Sequence, residues 1–433
     1  MKRHERLCIG MSLAPTWLSG EGWRQPGSGV EDLFSVGFAA RIAQAAEAAQ
    51  LDFVFRPDAS ALPVAALDQG FGFASLDPAL LLAALAERTS RIGLVTTVST
   101  SFTHPYHVAR QLMSLHWTSR GRAGWNVVTA LAGHENFGLG DMPSSTERYA
   151  RAAEYVAAVQ ALWDSFPAKA LLMDRGAGRF ADTGLIHPAA HHGDAFDIKG
   201  PLNIPAFPGP RIPLMQAGAS PGGVALAGQV ADMVFGQTLT KAAALDASAR
   251  LGAAATAAGR PAGAVRLLPG LSLYLGDTRT EARALFDATQ ARVTRAQRIA
   301  RIRDATGLDL TGWHDDARVT PEHLPEAHSP RLPAQRDLLR ALIDSDRPRV
   351  ADLLTRPEVL GSVHWQVIGT VDDAFHTVAD WFDAGAIDGF VALPGGSWGC
   401  VDRVLGGLIP RLARAGLFRA AYQGDTLARH LDG

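Results

Sequence analysis

Eight short apolar runs recur along the chain with helical patterns between them, and that alternation limits the fold more than any other feature. The runs are LCIGMSL (7–13), DFVF (52–55), RIGLVTTV (91–98), GWNVVTA (124–130), IPLMQAG (212–218), DMVFGQ (232–237), VRLLPGLSLYL (265–275) and GFVALP (389–394). Helical periodicity fills 38–50, 77–89 and 148–166, with Asp77 as a cap before Pro78. Ser144 to Glu147 and Thr278 to Glu281 have capping-box spacing, which marks two more helix starts. Strands that read as unbroken apolar runs belong to a parallel sheet covered on both faces. Eight strand-helix units predict an α/β protein, a closed (β/α)8 TIM barrel, as one domain over 1–433. A bare barrel takes about 250 residues, so insertions are expected near 56–76, 167–211 and 305–360.

With 433 residues, 47% of them hydrophobic, the chain can bury a large core. Its net charge is -2 and no long Lys/Arg run appears, which argues against a nucleic acid or a charged membrane surface as partner. The apolar stretch after the basic N-terminus is broken by Pro15 and is too short for a secretory core. Nothing approaches the roughly 20 continuous apolar residues of a membrane helix. A cytoplasmic location and a small-molecule partner are expected. The two cysteines, Cys8 and Cys400, read as structural thiols of a reducing compartment.

In such barrels the ligand site lies at the C-terminal ends of the strands. Polar residues late in the apolar runs are therefore the candidates: Asp58, Thr96, Thr97, Ser99, Asn126, Thr129 and Gln216. Each either hydrogen-bonds a ligand at the pocket mouth or satisfies a buried neighbour, and spacing alone leaves both open. In QAGASPGGVALAGQVAD (216–232) a strand gives way to a helix at Ser220 and Pro221. Such a glycine-rich helix start can cradle a phosphate, and it also serves ordinary turns. No metal site is expected. His187, His191 and His192, like His104 and His107, lack the spacing of a helical ligand pair, and no G-x-S-x-G elbow is present.

The segment RIGLVTTVSTSFTHPYHVARQLMSLHWTSRGRAGWNVVTALAGHENFG (91–138) closely resembles the flavin-dependent monooxygenases of the bacterial luciferase-like superfamily. More narrowly it resembles the branch of nitrilotriacetate monooxygenase, dibenzothiophene sulfone monooxygenase and pristinamycin synthase. Further matching stretches are 148–165, FDIKGPLNIP (196–205), PLMQAGAS (213–220), WFDAGAIDGFVALP (381–394) and 416–431. The resemblance implies the same barrel with insertions. It also implies a reaction in which FMNH2 and O2, by way of a flavin C4a-(hydro)peroxide, oxygenate a small organic substrate.

Carried over residue by residue, the resemblance has Asp58, Thr96, Asn126 and Tyr149 contacting the flavin and Ser220 near its phosphate. Trp125 and Val127 then face the helices. Ser145 stands where relatives commonly have a histidine four residues before the tyrosine, and the loop GEGWRQPG (20–27) lacks the histidine often found before Trp-Arg. His364, in GSVHWQVIGT, is the catalytic candidate, as a proton or hydrogen-bond partner. Phe53, Phe55, Phe71, Phe73, Trp17 and Trp23 are candidate walls of a substrate chamber. A separate NAD(P)H:flavin reductase and a homodimer or homotetramer are further implications. Two alternatives stay open: a deazaflavin-dependent oxidoreductase of the same fold, and a flavin-binding protein without turnover.

Overall fold

The computed structural model describes residues 4–68, 70–72, 74–218, 220–326, 328, 333–361 and 364–432; Phe73 lies outside them. The first strands are β1 (Cys8–Ser12), β2 (Phe53–Arg56), β3 (Gly93–Ser99) and β4 (Ala123–Val128). Two hairpins follow, β5 (Leu171–Asp174) with β6 (Arg179–Ala181), and β7 (His191–His192) with β8 (Asp197–Ile198). Then come β9 (Leu214–Ala217), β10 (Met233–Gly236), β11 (Arg266–Leu275), β12 (Trp365–Gly369) and β13 (Gly389–Pro394).

Strands β1, β2, β3, β4, β9, β10, β11 and β13 pair in that order, every pair parallel, and β13 returns to β1. The eight apolar runs are the eight staves of a closed barrel. Alternation within each stave divides its side chains. Cys8, Phe53, Phe55, Val95, Met215, Met233, Leu268, Val391 and Leu393 fill the lumen, while Ile9, Met11, Val54 and Leu94 face the outer helices.

A ninth parallel strand was not evident among the apolar runs. The edge of β11 that closes on β10 through Arg266–Pro269 continues through Leu271–Leu275 to pair with β12. The sheet therefore extends above the rim at this one place. In β12, Trp365 and Val367 turn into the core, where Trp365 stacks on Trp381 at 4.0 Å between ring centroids. Strand alternation puts His364, Gln366 and Ile368 on the opposite face.

The expected caps form. In α2 (Pro78–Ala86) Asp77 accepts the Leu80 N–H with Pro78 in the first position. Both capping boxes close, at α4 (Ser145–Asp164) and α7 (Arg279–Thr289). The insertion around 305–360 is a helical unit that starts earlier, with α8 (Arg295–Thr306), and continues through α9 (Pro333–Asp346), α10 (Val350–Leu354) and α11 (Pro357–Leu360). Ile302, Leu339, Ile343, Leu353 and Val359 give it an apolar cluster of its own.

The N-terminal end of the barrel is plugged by α15 (Leu427–Leu431). Leu427 sits so close to β3 and β4 that its methyls lie 2.6 and 2.7 Å from where Cβ atoms at Gly93 and Gly124 would stand. Nearby, Asp52 pairs with Arg419 and accepts the Ile9 N–H at 2.7 Å; burial raises its carboxyl to about 6. Replacing Leu427 with Ala opens a cavity at this plug and is expected to cost about 2–5 kcal/mol of stability, read by urea unfolding. A loss under about 1 kcal/mol would mean the helix does not seal the barrel.

Candidate active site

The closed end leaves the C-terminal rim for chemistry. Asn126 is 2% exposed on the lumen face of β4. Its amide nitrogen donates to Thr97 Oγ1 at 3.0 Å, and the Thr97 hydroxyl donates to the Arg56 carbonyl at 2.8 Å. Because Thr97 has a single proton and spends it on that carbonyl, it must accept from Asn126, which fixes the orientation of the amide. Asn126 Oδ1 is left buried without a hydrogen-bond partner. Such an acceptor costs about 1–3 kcal/mol unless something supplies a donor.

At the same end of the barrel, the ends of β4, β9 and β10 border a cleft of about 330 Å³ lined by Val128, Thr129, Tyr149, Gly218, Phe235 and Thr238, among others. The cleft meets the start of α5 (Pro221–Val230), where Ser220 caps the helix by accepting the Gly223 N–H at 3.2 Å and Pro221 takes the first position. The glycines here serve a purpose beyond admitting a ligand. Cβ atoms at Gly222 and Gly223 would stand 2.8 and 2.9 Å from Tyr149, and one at Gly218 would stand 2.7 Å from its hydroxyl oxygen. Tyr149 thus packs directly on the first turn of α5. Gly218 itself has a φ of 149°, which an L side chain rarely adopts.

Thr129 and Tyr149 line the cleft, Ser220 caps the helix beside it, and Asn126 and Thr97 stand at the same end of the barrel on the lumen faces of β4 and β3. Ser145 is the first residue of α4, exposed, one turn before Tyr149 on the same face. One expected contact, Thr96, is turned elsewhere. Thr96 points away from the lumen, on the face of β3 that carries its register partner Trp125, because residues alternate along a strand and Thr97 takes the inward position. Asp58 is exposed on the loop after β2, its carboxyl raised by partial desolvation and by Asp77. Gln216 also lies on an outward face; its side-chain nitrogen donates to the Ala217 carbonyl at 2.8 Å and its Oε1 is buried without a partner. Ser99 accepts the Ser101 N–H and shapes the turn after β3.

Trp125 and Val127 pack outward with Tyr155 and Val156. Of the aromatic residues, Phe53 and Phe55 lie in the lumen. Trp17 is core, stacked on Phe38, and Phe71 and Trp23 pack on that same cluster. Phe55 touches Phe235 (5.3 Å between centroids), and Phe235 touches His364 (5.2 Å). The His364 ring lies over Gly270, where a Cβ would come within 2.6 Å of Nδ1. Burial lowers the His364 pKa to about 4, so the ring is neutral near pH 7.

Sequence reasoning missed Thr238, whose buried hydroxyl oxygen lacks a partner, and Arg250, which lines the cleft from α6 (Lys241–Ala257). Thr238 follows an apolar run and so carried the same signal as Asn126. Arg250 resembles any helix-surface arginine. Of the histidines singled out from the sequence, His104 caps α3 (Pro105–Thr118) and His191 meets Glu154 at 3.3 Å. Among the described residues no three His, Cys, Asp or Glu side chains gather as a metal site, and no helix is long and apolar enough to cross a membrane.

A family model, that of the luciferase-like monooxygenases, matches residues 16–355. The chain belongs to this family. Within it, the chain is similar to nitrilotriacetate monooxygenase component A of Aminobacter aminovorans, 35% identical over 428 residues that cover 95% of this chain and 92% of that protein. Among solved structures it is similar to the EDTA monooxygenase of Chelativorans sp. BNC1, with a TM-score of 0.81, 27% identity and 99% and 98% of the two chains covered. A riboflavin lyase determined with modified FMN and riboflavin is equally near in fold, with a TM-score of 0.81, 27% identity and coverage of 99% and 96%. Its relatives' names mark the chain as an oxygenase of the luciferase-like kind, built on the barrel that its sequence implied.

Two buried histidines, His116 and His430, and the half-buried His364 have pKa values lowered to about 4 by desolvation. The unfolded chain, with histidines near 6.5, therefore binds more protons than the native one between these values. The histidine contribution to stability should be complete above about pH 6.5 and be lost as the pH drops toward 4, offset in part by Asp52, whose raised carboxyl acts in the opposite sense. In urea unfolding followed against pH, His364→Gln should flatten this slope by up to about one proton; an unchanged slope would mean that His364 is not held neutral.

Proposed function

We propose that this chain is the oxygenase component of a two-component system that binds reduced FMN and uses O2 to oxygenate a small organic substrate. The observation that carries the reading is the corner formed by the partnerless Asn126 acceptor and the capped start of α5. A heteroaromatic ring with N–H groups and a phosphate tail has complementary chemistry. The riboflavin lyase determined with modified FMN supports the choice of flavin, and the relative named as a component A supports a partner that supplies it reduced.

In this reading Asn126 Oδ1 accepts from a ring N–H, oriented by Thr97 and Arg56. Thr97, rather than Thr96, is the contact from β3. Ser220, the first N–H groups of α5, the Tyr149 hydroxyl and Arg250 hold the phosphate, where the helix dipole favours negative charge. Ser145 provides a short hydroxyl one turn before Tyr149. Bound reduced FMN supplies the electrons that activate O2. The protein's part is to keep that chemistry dry: Phe55 and Phe235 line the rim with apolar surface. His364, neutral at pH 7, accepts or returns a proton through an imidazole nitrogen beside them.

Binding of FMN and riboflavin, followed by flavin fluorescence, tests the arrangement. Ser220→Ala should weaken FMN by about 10-fold and riboflavin by less than about 3-fold, since only the former carries the phosphate. Asn126→Ala should weaken both alike. Equal losses in Ser220→Ala would refute the phosphate assignment. With NADH and a flavin reductase the wild-type protein should consume O2 in a substrate-dependent way; binding of a deazaflavin with no oxygen uptake would favour hydride transfer instead.

A further inference from the structure

The helical insertion and the ninth strand meet over a second cleft, of about 310 Å³, that the flavin corner leaves unused. Strand alternation turns Gln366 and Ile368 of β12 into it, beside His364, while Glu358 enters from the first turn of α11 and Leu239 and Leu338 add apolar wall. Two polar atoms there are buried without partners, Glu358 Oε2 and Gln366 Nε2. Gln366 is also tightly placed. A Cβ at Gly361 would lie 2.7 Å from both ends of its amide, so glycine is what lets the loop close over it. Among the described residues the lining holds one carboxylate and no Lys or Arg.

His364 links the two clefts. It lines this one, and its ring contacts Phe235, which lines the other. A molecule seated here would have its far end beside the aromatic rim at which oxygen chemistry is proposed. A half-buried carboxylate with one buried oxygen left unpaired favours a donor that brings positive charge and disfavours a second carboxylate.

We propose that this cleft is the substrate compartment and that Glu358, aided by Gln366, selects an amine attached to an apolar chain. The proposal rests on the monooxygenase reading for its purpose, and the two can fail separately. The ammonium group donates to Glu358, Gln366 donates to an acceptor near the amine, and the chain lies along Leu239, Leu338 and Ile368 toward His364. Glu358 and Gln366 are specificity-determining residues here and take no part in the oxygen step.

Hexylamine, hexan-1-ol and hexanoate, titrated calorimetrically into the FMN-loaded protein, share one chain and differ in the terminal group. Hexylamine should bind at least about 10-fold tighter than hexanoate, with the alcohol between them. Glu358→Gln, which keeps the side chain's shape, should shrink that preference to under about 2-fold while FMN affinity stays unchanged; Gln366→Leu should weaken hexan-1-ol, whose oxygen can accept from the amide, and leave hexylamine, which has no acceptor, within about 2-fold. Equal or tighter binding of hexanoate, no binding of any of the three, or a preference intact in Glu358→Gln would overturn the proposal. Failure of the wild-type protein to bind FMN would instead strike the monooxygenase reading.

Discussion

Closure of β10 onto β11 is the constraint from which the rest of the structure follows. Once Met233–Gly236 and Arg266–Pro269 pair, no edge is left in the barrel, and each stave is buried on both faces. The lumen is filled with Phe53, Val95, Met215 and Leu268 and its lower end is stopped by Leu427. A polar side chain on a stave can then meet a ligand only near the upper rim. Asn126, Thr97 and the start of α5 are concentrated there because the geometry allows no other place.

Buried polar atoms without a partner occur at both ends of the barrel, Arg266 Nη1 and His430 Nδ1 being two at the base. Also at the base, Arg419 and a backbone N–H meet Asp52 and offset its burial in part. At the rim, Asn126 Oδ1 and the Thr238 hydroxyl oxygen are buried with no partner. At the rim, where a cleft opens, a bound molecule can complete such groups. A second such cleft lies above β12, lined by Glu358 and Gln366.

The strands were legible because a parallel stave covered on both sides must be apolar along its whole length, and eight segments met that condition. The caps at Asp77, Ser144 and Thr278 were legible because they are local hydrogen bonds between residues three apart. β12 escaped notice because its pattern is mixed: Trp365 and Val367 go to the core while Gln366 and Ile368 face a cleft. The helical insertion was recognised as an insertion, yet its start at Arg295 was not, since its apolar positions make sense only against one another.

The sequence alone determined the closed barrel, the family, and the rule that polar residues at the ends of the staves are the ones to examine. Tertiary structure decided which of them share a site. One residue along β3 separates Thr97, turned into the lumen, from Thr96, turned toward the shell, and a strand boundary read from sequence is too coarse to settle that parity. The contacts of Tyr149 with Gly222 and Gly223, and of His364 with Phe235, join residues far apart in the chain. They exist because barrel closure and helix packing bring those residues within van der Waals reach, a distance that no local pattern encodes.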